Sequence, residues 1–197
     1  MPTGKKIEKG SNLKSKRSRE MKEVKKSGEI KGELEVQGNL ILTGNLKVEK
    51  WIEVSGYIDC AGYSIKAGSS IKACSWIKAG DSIKAGSSIK AGSSIKAGSS
   101  IKAGSWIEAG DSIEAGDSIL AQLWIKCKTT LEAGIYIFAG VKTWSELQDG
   151  DDLIECGELK GGEIKFGTLK ELGLSDEVKK KNPKEIEIDG AKYRLVD

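Results

Sequence analysis

The stretch from Ile65 reads IKAGSS-IKACSW-IKAGDS-IKAGSS-IKAGSS-IKAGSS-IKAGSW-IEAGDS-IEAGDS and ends at Ile119-Leu120, one hexapeptide written over and over. Ile65, Ile71, Ile77, Ile83, Ile89, Ile95, Ile101, Ile107, Ile113, Ile119 and Ile125 hold a single register, which Leu131 and Ile137 continue. A six-residue apolar period matches no face of a 3.6-residue helix, so a helix is excluded. Within the hexad the alternation has period two: Ile inward, Lys outward, and the Ser or Gly two residues before each Ile inward again. The Ala-Gly step offers a small residue and one free to take φ > 0, which suits a tight corner between short strands.

Working back from Ile65, a looser version of the repeat appears as LEVQGN from Leu34, LILTGN from Leu40, LKVEKW from Leu46 and IEVSGY from Ile52. One extra residue sits between Ile58 and Ile65, and a bulged corner is expected there. Leu34 to Ile137 gives eighteen hexads. Three strands per turn would close a triangular coil of eighteen residues, and six coils would stand roughly 29 Å tall at the usual strand spacing of about 4.8 Å. The expected fold is an all-β solenoid with Ile stacked on Ile through its middle. Residues 28–142 form the solenoid, 1–27 a flexible basic arm and 143–197 a small α+β cap.

The unit S-S-I-K-A-G resembles the hexapeptide of left-handed β-helices, with a small residue two positions before the aliphatic one, over residues 34–140. The resemblance concerns architecture. The best-known members of that group are acyltransferases whose catalytic residue is typically a histidine. This chain has no histidine, so that activity does not carry over. The N-terminal G-x-L-x-V-x-G repeats also resemble bactofilins, bacterial filament-forming β-helices flanked by tails, which implies a self-assembling scaffold as an alternative function.

The lack of histidine also removes the usual general base and triad base, and a non-enzymatic protein without a cofactor or metal is expected. Cys60, Cys74, Cys127 and Cys156 form no CxxC pair, so neither a zinc site nor a disulfide framework is indicated. No apolar run approaches the ~18 residues of a membrane span, and the N-terminus lacks the apolar stretch of a secretory signal. A cytoplasmic, reduced protein is expected.

The ends differ in character. Residues 1–27 hold ten Lys or Arg against Glu8, Glu20 and Glu23, with Lys14, Lys16, Arg17 and Arg19 at the centre of the run. Such a segment solvates itself and offers an electrostatic arm. Beyond Ile137 the repeat decays: 143–152 reads as a loop and 153–169 as irregular strands. LSDEVKKKN (174–182) carries a Ser cap, early acids and late lysines, which predicts a short helix. EIEIDGAKYRL (185–195) predicts a hairpin about Asp189-Gly190.

Charge is segregated. Lys66, Lys72, Lys78, Lys84, Lys90, Lys96 and Lys102 face only Asp81 within residues 65–104. Three hexads per coil would spread them over all three faces as a belt, with Lys66, Lys84 and Lys102 in one column. Like charges stacked every ~4.8 Å repel, and an anion against them would relieve this. The plain alternative is that duplication copied a soluble outward residue. Glu108, Glu114 and Glu132 are placed to pair with Lys90 and Lys126 along the columns. Asp81, Asp111 and Asp117 take a Ser position and read as corner hydrogen-bonding groups.

Trp51, Trp76, Trp106 and Trp124 precede the aliphatic position and should point outward, as should Tyr57 and Tyr63. Spacing puts Trp106 over Trp124 with Trp51 further along the same face, and Tyr57 beside Trp76 on the next. Exposed aromatics in number suit a partner site or base stacking, unless the arm or cap covers them. Leu120, Tyr136 and Phe138 share the third face and are expected to dock the cap. The reading that gathers these signals is a binding module for an anionic nucleic-acid or nucleoprotein partner. A bacterial or phage-encoded inhibitor is an example. The aromatics would add a protein contact, and a homo-oligomer is compatible with the same surface.

Overall fold

The computed structural model describes residues 23–142 and 146–172 in full, and beyond them the backbone of the strands Lys179–Lys180, Glu185–Ile188 and Ala191–Arg194. Each hexad of the central repeat makes one three-residue strand, such as Ile89–Ala91, followed by a three-residue corner. Strands eighteen residues apart pair in parallel: Ile71, Ile89, Ile107 and Ile125 stand opposite one another in turn. The result is a parallel β-solenoid with three faces, as the hexapeptide pattern requires.

The first face stacks eight strands, from Leu34–Val36 through Ile52–Val54 and the Ile71, Ile89, Ile107 and Ile125 strands to Leu153–Cys156 and Thr168–Glu171. The second carries the Ile58, Ile77, Ile95 and Ile113 strands, and the third the Ile65, Ile83, Ile101 and Ile119 strands. Three long strands, Asn39–Val48, Thr130–Phe138 and Glu158–Phe166, run round the corner and serve both of these faces.

Every Ile of the central repeat is fully buried, from Ile58 to Ile137 at 0 % exposure. At ~1.5–3 kcal/mol for each fully buried aliphatic side chain, this ladder is the main source of stability. The alanine two residues later is also inward and buried, while the Ser two residues before Ile is only half-buried. Alanine is therefore a strand residue filling the interior rather than half of the corner. Cys60, Cys127 and Cys156 take the same inward place in their strands.

The hexad glycines correct another expectation. None in the central repeat has positive φ; the positive values fall at Gly28, Gly32, Gly38, Gly140, Gly150, Gly162 and Gly167, toward the two ends. Glycine is needed in the repeat for close approach instead. A Cβ on Gly86 would overlap the carbonyl oxygen of Gly68, one on Gly104 that of Gly86, and so on up the corner. Where Gln122 stands in that position its N–H lies 3.3 Å from the Ala103 carbonyl, against 3.0–3.1 Å for the central-repeat glycines from Gly86 to Gly116. The extra residue between Ile58 and Ile65 does make a bulge. Ala61 there has φ of 32°, and its N–H donates to Asp59 Oδ1 at 3.0 Å.

There are about eight turns, not six, because the coils run past Ile137. After residues 139–152 leave the coil, Ile154 pairs with Ile125, Leu159 with Leu131, Ile164 with Ile137 and Leu169 with Ile154. These aliphatics are spaced by five residues, so a six-residue pattern misses them. Gly162 at φ 95° and Gly167 at φ 124° make the shortened corners. At the other end Glu23–Ile30 is a strand paired to Asn39–Val48, with Val24 opposite Leu40 and Ile30 opposite Val48.

The described residues contain no helix. The helix expected at 174–182 lies outside the described residues except for Lys179–Lys180, which pair antiparallel with Thr168–Leu169. The expected hairpin pairing is present: Glu185–Ile188 runs antiparallel to Ala191–Arg194, with Ile188 opposite Ala191. Among the described residues no helix is long and apolar enough to cross a membrane.

Candidate polyanion interface

Each strand of the repeat projects one side chain outward from its centre, so each face carries a single column of such residues at strand spacing, about 4.8 Å. The lysines do fall on all three faces, but their surroundings differ from column to column. On the first face Lys72 meets Glu53 at 2.7 Å and Lys90 meets Glu108 at 2.9 Å. On the second, Lys96 meets Glu114 at 2.5 Å, and Lys78 stands in register between Asp59 and Lys96. On the third, Lys66, Lys84 and Lys102 stand in register with only one another between them. Below Lys66 comes Lys47, itself paired with Glu29 at 2.6 Å, and above Lys102 comes Leu120.

Among the described residues Lys66, Lys84 and Lys102 make no salt bridge. The belt thus divides into two faces where Lys72, Lys90 and Lys96 are paired and Lys78 has a carboxylate at the next position of its column, and a third with a stacked cationic column. Exposed pairs such as Lys72–Glu53 contribute little to stability, but they neutralise the surface locally. Corner hydroxyls border the third face. Asp81 accepts from the hydroxyl of Ser64 at 2.5 Å and from that of Ser82 at 3.2 Å, and hydrogen bonds from Ser64, Ser99 and Ser82 hold its carboxyl below its ordinary range. Asp81 is accordingly a corner-fastening group. Lys14, Lys16, Arg17 and Arg19 lie outside the described residues.

The aromatics form two separate stacks. Tyr57 lies on Trp76 with ring centres 4.3 Å apart and planes 6° from parallel, at the corner leading into the second face. Trp106 lies on Trp124 at 4.9 Å and 5°, at the corner leading into the first. Successive backbone bonds place Trp51, Ser70, Ser88, Trp106 and Trp124 in that corner ladder: Ile52 N–H to Ser70 O, Ile71 N–H to Ser88 O, Ile89 N–H to Trp106 O and Ile107 N–H to Trp124 O. All five proposed contact aromatics, Trp51 included, are half-buried rather than fully exposed. The rings of the two stacks spend much of their face area on one another, and they make two patches on different corners instead of one surface.

Some features carried no sequence signal. Lys126 Nζ stands 5.1 Å from the centre of the Trp124 ring, and a shallow groove of ≈ 460 Å³ runs beside them along the first face, bounded by Lys90, Glu108, Glu155 and Leu172. The far side of that groove comes from the five-residue coils, which the six-residue pattern does not reach. Leu120 and Phe138 stand opposite each other on the third face, with Tyr136 packed edge-on to Phe138 and Lys165 over the Tyr136 ring at 4.9 Å. Of the cap expected to dock on this cluster, residues 143–197, the described part reaches it as a further coil, with Glu163 opposite Tyr136 and Phe166 opposite Phe138, and the side chains of 173–197 lie outside the described residues.

Among the described residues no three His, Cys, Asp or Glu side chains converge on a point that would hold a metal ion. Burial pushes the Cys60 thiol up to about 12, and Cys127 and Cys156 to about 11 and about 12. These are packing groups, held in the unreactive thiol form. No family model, no curated protein and no solved structure matches the chain.

Proposed function

We propose that the chain is a non-enzymatic binding module for an anionic nucleic-acid or nucleoprotein partner, with its third face as the contact surface. The observation that supports this reading is the column of Lys66, Lys84 and Lys102, three like charges in register with no salt-bridge partner among the described residues. Two unit charges ~4.8 Å apart in water repel by about 0.9 kcal/mol before screening. A phosphate chain laid along the column would remove that cost and release its own counterions. Gly and Ser corners on either side keep the approach open, and the basic residues of the first twenty-seven add further charge. An inhibitor that occupies a nucleic-acid-handling machine would fit the same chemistry.

The alternative is a structural scaffold of bactofilin type. Growth end to end needs a free strand edge at both ends of each face, and the antiparallel pairing of Lys179–Lys180 on Thr168–Leu169 occupies one of them. We therefore favour the binding module.

The test is oligonucleotide binding by fluorescence anisotropy across a salt series. Three neutralised phosphates predict a fall of log K with log salt of slope about −2 to −3, steeper when the N-terminal basic residues contribute. Removing residues 1–22, which leaves the Glu23–Ile30 strand in place, should weaken binding and reduce the slope. Salt-independent binding, or no binding at low salt, would sink the proposal.

A further inference from the structure

The outward column of the second face has an order of signs that the other two lack. Above the first two strands, whose outward residues in register are Lys25 and Ile41, it reads Asp59, Lys78, Lys96, Glu114, Glu132, each in register with the next. Across a bulge in the next strand comes Lys160, which follows Leu159, the partner of Leu131. The signs run minus, plus, plus, minus, minus, plus. A two-fold axis lying in the face, between the Lys96 and Glu114 strands and parallel to them, turns this column into its own complement. Asp59 then faces Lys160, Lys78 faces Glu132 and Lys96 faces Glu114 of a second copy, and each contact occurs twice.

We propose that the second face is an isologous interface between two copies of this chain packed antiparallel. An axis at the same level of the first face, between the Lys90 and Glu108 strands, sets Lys72 against Lys126, and the third-face column is cationic in one half and apolar at Leu120 and Phe138 in the other. A two-fold contact requires that one patch be complementary to itself, and a run of six charges antisymmetric about the axis meets that requirement, with the Lys25 and Ile41 strands of each copy beyond its end.

The face also suits the role mechanically. Its outward residues stand alone at the centres of three-residue strands, with Gly and Ser beside the Lys96 strand at the axis, while the Tyr57–Trp76 stack borders the Asp59 and Lys78 end. The Lys96–Glu114 pair within each chain becomes half of a four-charge group at the axis. Six hexads, each about 20 Å long with its corner included, stacked at ~4.8 Å spacing make a face roughly 29 Å tall. Two such faces in contact bury on the order of 1,200 Å², at the boundary between stable and transient complexes. The pair should thus be a concentration-dependent equilibrium, favoured by low salt because its specificity is electrostatic.

This inference does not depend on anion binding, and its test uses the full chain free of nucleic acid. Mass is measured by sedimentation velocity at low salt for the native chain, for Lys78→Glu, for Glu132→Lys, for the two variants mixed, and for the double variant. Each single variant sets like charges together at both symmetry-related contacts, so each alone should be monomeric. In the mixture, the carboxylate introduced at position 78 of one chain meets the ammonium introduced at position 132 of the other. The native Lys78 and Glu132 meet at the second contact, so a dimer should return; the double variant should dimerise likewise. The native chain should be a dimer that dissociates as salt is raised. A monomeric native chain, single variants that remain dimeric, or a mixture that stays monomeric would each overturn the proposal. All these side chains are at the surface, and far-UV circular dichroism checks that the variants are folded.

Discussion

At the scale of single residues the hexad assigns one physical task to each place, and substitutions separate the tasks. Cys74 stands at the glycine position and is exposed, whereas Cys60, Cys127 and Cys156 replace inward alanines and are buried. Burial keeps those three protonated far above neutral pH, and only the thiolate attacks a disulfide reagent. A thiol titration at pH 8 should therefore count one reactive cysteine in the native protein and four after denaturation. Two or more reacting promptly in the native protein would contradict the assigned burial. Gly98 has ordinary φ, so alanine there meets no backbone strain, yet its Cβ would overlap the carbonyl oxygen of Gly80. Gly98→Ala should cost about 1–3 kcal/mol by overpacking, read as a lowered denaturation midpoint. A neutral result would mean that the corner relaxes as it does at Gln122.

At the scale of elements the unit is the column, inward or outward, that three-residue strands build when they stack. An inward isoleucine such as Ile89 has Ile71 below it and Ile107 above. Ile89→Ala should destabilise by about 2–5 kcal/mol, because both neighbours lose a packing partner and rigid corners limit collapse into the space. Chemical denaturation measures this, and a loss well under 1 kcal/mol would argue against a tightly stacked interior. The same stacking makes much of the surface legible in the sequence. A six-residue period in threes puts Trp106 on Trp124 and Lys84 between Lys66 and Lys102, and with the one extra residue before Ile65 counted it puts Tyr57 by Trp76; all three juxtapositions occur. Lys90–Glu108 follows from the same arithmetic. What escaped was whatever departs from six. The five-residue steps from Ile154 to Leu169 hid two further coils, and positive-φ glycines there do the turning that the central repeat does with ordinary φ. The neutralisation of Lys72 also escaped. It depends on Glu53, nineteen residues away across the same bulge that separates Tyr57 from Trp76, in the looser repeats where carboxylates stand among the outward residues.

At the scale of the whole molecule, charge is laid out along the solenoid axis. Residues 65–104 carry seven lysines and one aspartate, while residues 105–172 carry thirteen carboxylates and six lysines. This layout would draw an anionic partner to the middle coils and repel it from the C-terminal ones. Within the middle coils the third face attracts most, since the lysines of the other two faces lie beside Glu53, Glu108, Glu114 or Asp59. An antiparallel pair joined through the second face would leave both third faces open. The two proposed surfaces, one for an anionic partner and one for a second copy, would then be separate.

The most direct measurement compares two triple variants of equal net charge for oligonucleotide affinity at one low salt concentration. One replaces Lys66, Lys84 and Lys102 by glutamine, and the other replaces Lys72, Lys90 and Lys96. The first should lose at least about tenfold in affinity, as expected when three phosphate contacts are removed. The second, whose lysines are already paired, should lose only a few-fold. Equal losses would show that net charge alone governs binding and would contradict a site on the third face.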